Sequence, residues 1–356
     1  MKKSYLLYFL LPLATSLLLY AACASSNYKI LKPPLDSNSQ KFLDFIRYII
    51  TSQEDRIFRE MPPEDRGEFI MDFWARRDPD PSTPENEFRS VYYTRLAVAD
   101  KAFRAGIPGW MTDKGRIYIL LGPPTDVIKK SAGDPSSEFR KDKRELSSNL
   151  LEDGTLTERP TEIWIYNQYP DYFSGPLRLV FVDYEGTGNY KLTTDVEVKR
   201  FSMMSPLQSD PNMVKYQWIG EIEDSESLRA FLPFLDYSKS LGTIQKNKQG
   251  AYTVECAFDI PYRAIRYQEK NDGWDYHLEL GIEVKFIEEK SSYQENREIR
   301  KYISDKDLKR NISERYTLKE SFFVPLTQGK NEIYFSVRDN IQQRRLRKLD
   351  IVEIKK

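Results

Sequence analysis

The apolar residues of this chain change period part-way along it, and that change limits the folds open to it. Phe42, Phe45, Ile46 and Ile49 recur at helical spacing, as do Phe69, Ile70, Phe73 and Trp74, and then Phe88, Val91, Tyr92, Leu96, Ala99 and Phe103. From Ala251 onward apolar and polar residues alternate instead, over 251–260, 276–287, 316–324, 332–337 and 345–354. A period of 3.6 marks a helix with one buried face, and a period of two marks a strand with one buried face. The chain is therefore expected to be α+β. N-terminal helices pack on a small mixed or antiparallel sheet, and a C-terminal β-sandwich-like domain follows.

Local signals sharpen this outline. Thr51-Ser52-Gln53-Glu54 fits a capping box, in which Thr51 and Glu54 satisfy each other's free backbone donors. Pro62-Pro63 restarts the chain, and Arg76-Arg77-Asp78-Pro79-Asp80-Pro81 breaks it. Thr83 and Pro84 begin a further helix that Gly106 stops as a left-handed cap. The apolar, β-branched run 116–121 predicts a strand ended by Gly122-Pro123-Pro124. Strands are also predicted at 162–166 and 177–183, with a possible return at 190–193 after a Gly-rich turn. Residues 129–160 read as a long polar loop. The divisions drawn are 1–22, a signal peptide; 23–38, a tether; 39–198, the α+β domain; 199–250, a connector with short helices near 213–218 and 225–235; and 251–356, the sandwich.

The first residues carry an address. Lys2 and Lys3 precede an apolar run, no further charge appears before Lys29, and Ala21-Ala22 come just before Cys23. A basic start, an apolar core and small residues at a cleavage point make an export signal. Leu19-Tyr20-Ala21-Ala22-Cys23 resembles the lipobox of bacterial lipoproteins, with Tyr20 where an aliphatic residue is usual. That resemblance implies lipid on Cys23 and a body held to a membrane in the cell envelope. With no Asp after Cys23, the outer membrane is favoured over the inner. A cleaved secretory signal without lipid and an uncleaved anchor stay open as alternatives.

Composition excludes several classes. The 356 residues carry 54 basic and 54 acidic side chains, so nothing recommends nucleic acid as a partner. The only histidine is His277. It lies in an alternating run and is expected on a strand surface, so a zinc site built on several histidines is impossible. No cofactor and no metal are expected. The second cysteine, Cys256, also lies in an alternating run and is expected to pack as a small apolar residue.

The densest cluster of unusual residues is Gly106-Ile107-Pro108-Gly109-Trp110-Met111-Thr112-Asp113-Lys114-Gly115-Arg116. Gly109 and Gly115 suit restricted backbone angles. Thr112 and Asp113 suit a turn, and Trp110 offers a large apolar body with one donor. The expected form is a helix-to-strand corner plugged by Trp110. The alternative is a groove faced by Trp110, Asp113 and Arg116. Gly109-Trp110-Met111-Thr112-Asp113 resembles the signature of the GWxTD domain family of bacterial envelope proteins. The resemblance extends through Tyr48-Ile49-Ile50-Thr51, Phe73-Trp74-Ala75-Arg76-Arg77-Asp78-Pro79, Thr83-Pro84-Glu85-Asn86-Glu87-Phe88-Arg89, Glu162-Ile163-Trp164-Ile165-Tyr166 and Phe181-Val182-Asp183, covering roughly 38–195. It implies an exported or lipid-anchored protein, and no catalytic residue carries over from it.

Other clusters read first as structure. Arg76 and Arg77 are expected to pair with Glu85 and Glu87; Asp78 and Asp80 lack the ligand spacing of a calcium hand. Asp183 and Glu185 read as a solvated turn, and Arg344–Lys348 as one charged edge of a strand. The leading functional expectation is a non-enzymatic component that binds other envelope proteins, with Gly109, Trp110, Thr112, Asp113 and Arg116 as the candidate surface. The alternatives are a hydrolase of envelope polysaccharide or peptide working through Asp78, Asp113 or Asp183, and an envelope-polysaccharide-binding module using its Tyr and Trp side chains.

Overall fold

The computed structural model describes residues 28–131, 159–167, 176–193 and 235–355. The signal, Cys23, most of the 129–160 loop and the expected helix at 213–218 lie outside the described residues, as does nearly all of the one at 225–235.

Among the described residues, five helices build the first layer. Helix α1 (Ser37–Ile46) begins where Asp36 accepts from the Asn38 and Ser39 amides, and it buries Phe42, Leu43 and Ile46. Helix α2 (Ser52–Glu60) starts with the expected capping box, both halves of which are made. Helix α3 (Arg66–Ala75) buries Phe69, Phe73 and Trp74. Helix α4 (Glu87–Ala102) is capped by Asn86 rather than at Thr83 and Pro84. Aromatic rings join these helices, with Phe73 against Phe42 at 5.6 Å and Trp74 at 5.1 Å between centroids.

Helix α5 (Asp113–Leu121) replaces the strand expected at 116–121. The physical reason is burial on every side: Ile117, Ile119, Leu120 and Leu121 are all buried. A helix enclosed all round reads as a continuous apolar run, which periodicity cannot separate from a buried strand. Gly122, at φ +79°, ends it. Arg95 of α4 donates to the Ile119 and Leu120 carbonyls at 3.2 and 3.1 Å, satisfying acceptors left free at the helix end.

A four-stranded antiparallel sheet follows in the order β2 (Asp126–Lys130), β3 (Thr161–Tyr166), β4 (Leu177–Val182), β5 (Lys191–Leu192). Its apolar face meets the helices where Trp164, beside Phe181 of β4, packs against Phe103 at the end of α4.

The C-terminal part is a two-sheet structure. One sheet holds β8 (Tyr252–Pro261) between β12 (Thr317–Leu326) and β6 (Ser238–Leu241), with β7 (Gln245–Lys246) also on β8. Strands β6 and β7 fall in the stretch read as a connector, and they belong to this sheet. The other runs β1 (Tyr28–Leu31), β14 (Arg344–Ile354), β13 (Gly329–Asp339), β10 (Gly273–Phe286), β11 (Ser291–Ser304), with β9 (Gln268–Lys270) on β10. A helix, α6 (Asp305–Ser313), follows β11. Phe258 of β8 bridges the sheets, 5.6 Å from Phe322 and 5.3 Å from Phe335. Cys256 is fully buried between them as expected, and burial pushes its thiol up to about 12.

Two expectations change here. Tyr28–Leu31 falls within the expected tether, yet it pairs antiparallel with β14, Tyr28 opposite Ile354 and Leu31 opposite Ile351. The chain leaving it is fixed too: Pro33 is buried, and Arg66 donates to the Pro34 carbonyl at 2.8 Å. The Arg344–Lys348 run lies beyond the reach of β1, which pairs only with residues 351–354 of β14, so it does line a strand edge, but at Arg347 and Lys348 that edge is not left open to solvent. Lys348 is fully buried, its Nζ 2.9 Å from Glu60 and 3.1 Å from Asp236, and Arg347 pairs with Asp65 and Glu64. The basic run is matched to acids of the helical layer and joins the two halves.

Candidate interaction site at the Gly109–Asp113 corner

The corner sits between α4 and α5 as a single 3-10 turn, Gly109–Met111. Both glycines are required by closeness, not by unusual backbone angles, since neither has positive φ. A Cβ on Gly109 would stand 2.2 Å from the Ala99 carbonyl oxygen, and one on Gly115 would stand 1.9 Å from the Gly109 carbonyl oxygen. The turn lies directly on α4, and α5 lies directly on the turn.

Hydrogen bonds lock that contact. The Gly109 amide donates to Asp100 Oδ1 at 3.0 Å. Thr112 is buried; its hydroxyl donates to the Gly109 carbonyl at 2.8 Å and accepts from the Gly115 amide at 3.0 Å. Thr112 is thus the N-cap of α5, a role worth about 1 kcal/mol. Asp113 opens the first turn of α5, and its Oδ2 accepts from the Leu192 amide of β5 at 2.9 Å. Lys114, which the sequence reading did not single out, pairs with Glu162 of β3 at 2.8 Å and lies 4.3 Å from the Tyr190 ring centroid. Asp113 and Lys114 together fasten the helical layer to the small sheet.

Trp110 is half-buried and lies edge-on to Phe45 at 5.8 Å, with the Arg47 guanidinium over its ring at 5.6 Å. Its carbonyl accepts from the Tyr48 hydroxyl at 2.9 Å. Burial pushes the Tyr48 phenol above its ordinary value, against the charges of Arg47 and Arg116. The structure therefore gathers Trp110, Asp113 and Arg116 around Tyr48, while Gly109 and Thr112 lie beneath them. The same turn carries Ile107 and Met111, each 40% exposed. Arg47 also lines a groove of about 420 Å³ along α1 and α2, with Leu43, Asp44, Ile50, Asp55 and Arg59.

The model of the GWxTD domain family matches residues 25–144. That stretch is a GWxTD domain. Within its described part the GWxTD domain takes in β1, all five N-terminal helices and β2, so it begins earlier than the run 38–195 that carried the resemblance. No curated protein matches the chain.

The carboxylates weighed for catalysis are engaged in holding backbone. Asp78 accepts from the Asp80 amide, and Asp183, buried, accepts from the Thr187 and Gly188 amides at 3.2 and 2.8 Å. Arg76 and Arg77 do not pair with Glu85 and Glu87 as expected. Both meet Glu54, Arg77 at 3.0 Å and Arg76 at 3.1 Å, and Arg77 is 1% exposed. The capping carboxylate at the start of α2 serves as their counter-ion, a long-range pairing that sequence spacing does not encode. His277 lies on β10 beside Glu298 and Asn340.

Proposed function

We propose that this GWxTD-domain protein is a lipid-anchored, non-enzymatic assembly component of a bacterial cell envelope. Its lipid sits on Cys23, the outer membrane is its site, and other envelope proteins dock at the Trp110 corner. The observation that carries the docking surface is the division of labour at that corner. Gly109, Thr112, Asp113 and Lys114 hold the fold together, while Trp110 stays half-exposed beneath Arg47, on a turn that presents Ile107 and Met111 and beside the α1–α2 groove. An aromatic anchor with arginine and methionine beside it is the side-chain chemistry enriched at protein interfaces. The engagement of Asp78, Asp113 and Asp183 in turns and strand contacts supports a binding role over hydrolysis.

The test is site-specific photocrosslinking in intact cells from position 111, with position 319 on β12 as control. One defined envelope protein joined at 111, and lost in an Arg47→Glu variant that keeps its melting temperature, is the expected result. Equal adducts from both positions, or none from 111, would overturn the docking surface.

A further inference from the structure

Strand β1 fixes how far the body can stand from its anchor. Only the residues between Cys23 and Tyr28 separate a lipidated cysteine from the sheet, and five residues span at most about 18 Å fully extended. A tether running to residue 38 would have reached roughly 50 Å on the same measure. Tyr28 is not at an arbitrary place: it pairs with Ile354, which also pairs with Gly329, and Phe286 pairs with both Asn331 and Ser291. The Ile287 amide donates to the Lys330 carbonyl, and the Lys330 amide donates to the Glu288 carboxylate. On the facing sheet Leu326 pairs with Tyr252, and Tyr252 with Lys246. One end of the sandwich therefore collects the start of β1, the 287–290 turn, the 247–250 turn and Lys355.

That end has the surface a bilayer would meet. Lys246, Lys248, Lys290 and Lys355 are exposed there with Ile287, against the acidic pair Glu288 and Glu289. Lysines near a membrane are drawn to anionic headgroups, and an apolar side chain among them can enter the interface. The helical layer lies elsewhere: it meets β14 at Lys348, Arg347 and Arg344, about 20–34 Å along the strand from Ile354 at roughly 3.4 Å per residue.

We propose that this lysine-bearing end of the sandwich rests on the phospholipid surface holding the anchor, with the helical layer directed away from it. The proposal builds on lipidation of Cys23. The membrane is then a second, weak contact that a short leash keeps in place, and the Trp110 corner is left open to partners.

The experiment uses the full lipidated chain in vesicles of three parts phosphatidylethanolamine to one part phosphatidylglycerol. Ile287→Cys and, at the opposite end, Ile341→Cys variants carry an environment-sensitive fluorophore. Cys256 is fully buried, so labelling is confined to the new thiol. A spin label on the lipid headgroup should quench position 287 several-fold more than position 341. Joint replacement of Lys248 and Lys290 by Glu should reduce that difference without releasing the protein. Equal quenching at both positions in protein that floats with the vesicles overturns the orientation and leaves the anchor standing. Failure of the wild-type chain to float overturns both.

Discussion

Replacing Glu54 by Gln tests the buried charge network at the start of α2. The Glu54 carboxylate is 4% exposed and faces Arg77 at 3.0 Å and Arg76 at 3.1 Å. Burial alone would raise its pKa, yet Arg77 and Arg76 hold it below the ordinary value. Burial also brings Arg77 down to about 10, so that guanidinium is costly to leave without its partner. Glutamine can keep the capping contact to Thr51 and removes only the charge. Breaking a buried pair in this way costs about 3–5 kcal/mol. At about 2–4 °C per kcal/mol that lowers the melting temperature by roughly 6–20 °C. Glu54→Ala also loses its half of the capping box and should fall slightly further. A carboxylate with a depressed folded pKa adds stability that is present above its unfolded value, 4.5, and disappears as pH falls through the folded one. The gap between wild type and Glu54→Gln, followed by circular dichroism, should therefore be full at pH 7 and shrink in acid below pH 4.5. Equal melting at pH 7, or a gap that persists unchanged in acid, would refute the reasoning.

Gly115→Ala should destabilise by more than the 1–3 kcal/mol usual for overpacking, because its Cβ meets backbone at 1.9 Å; chemical denaturation measures this. Thr112→Ala should cost about 1 kcal/mol or somewhat more as the α5 cap is lost, whereas Thr112→Ser, which keeps the hydroxyl, should cost less in the same assay. Lys348→Met should destabilise by less than the about 3–5 kcal/mol of a fully orphaned buried charge, because Arg56 still faces both Asp236 and Glu60 once Lys348 is gone; adding Asp236→Asn should recover part of the loss in a double-mutant cycle. Cys256 should resist a thiol reagent at pH 8 in the folded protein and react fully in denaturant, since it is buried and its thiol is pushed up to about 12.

What the sequence made legible was local. The apolar periods of α1, α3 and α4, the capping box at Thr51 and the alternation of β8, β10 and β12 each depend on neighbours within a few positions. The α+β class followed from them. Helix α5 escaped because its enclosure leaves no polar face to set the phase. Strand β1 escaped because four residues pair with a partner more than 300 positions away. The matching of Arg347 and Lys348 to Asp65, Glu64 and Glu60 escaped for the same reason. At the candidate site, Gly109, Thr112 and Asp113 were found from residue type alone, but their roles were not. The glycines serve contact, Thr112 caps a helix rather than a turn, and Asp113 reaches β5. The contributions of Arg47 and Lys114 required the tertiary structure, since a single arginine or lysine carries no local pattern.

The most direct measurement of the central claim is intact and peptide-level mass spectrometry of the protein recovered from fractionated cells, beside a Cys23→Ser variant. The account predicts a mature chain that begins at Cys23 and carries acyl mass on that residue, with the variant lost from the membrane fraction. A chain cleaved elsewhere, or one that keeps residues 1–22 and an unmodified Cys23, would contradict it.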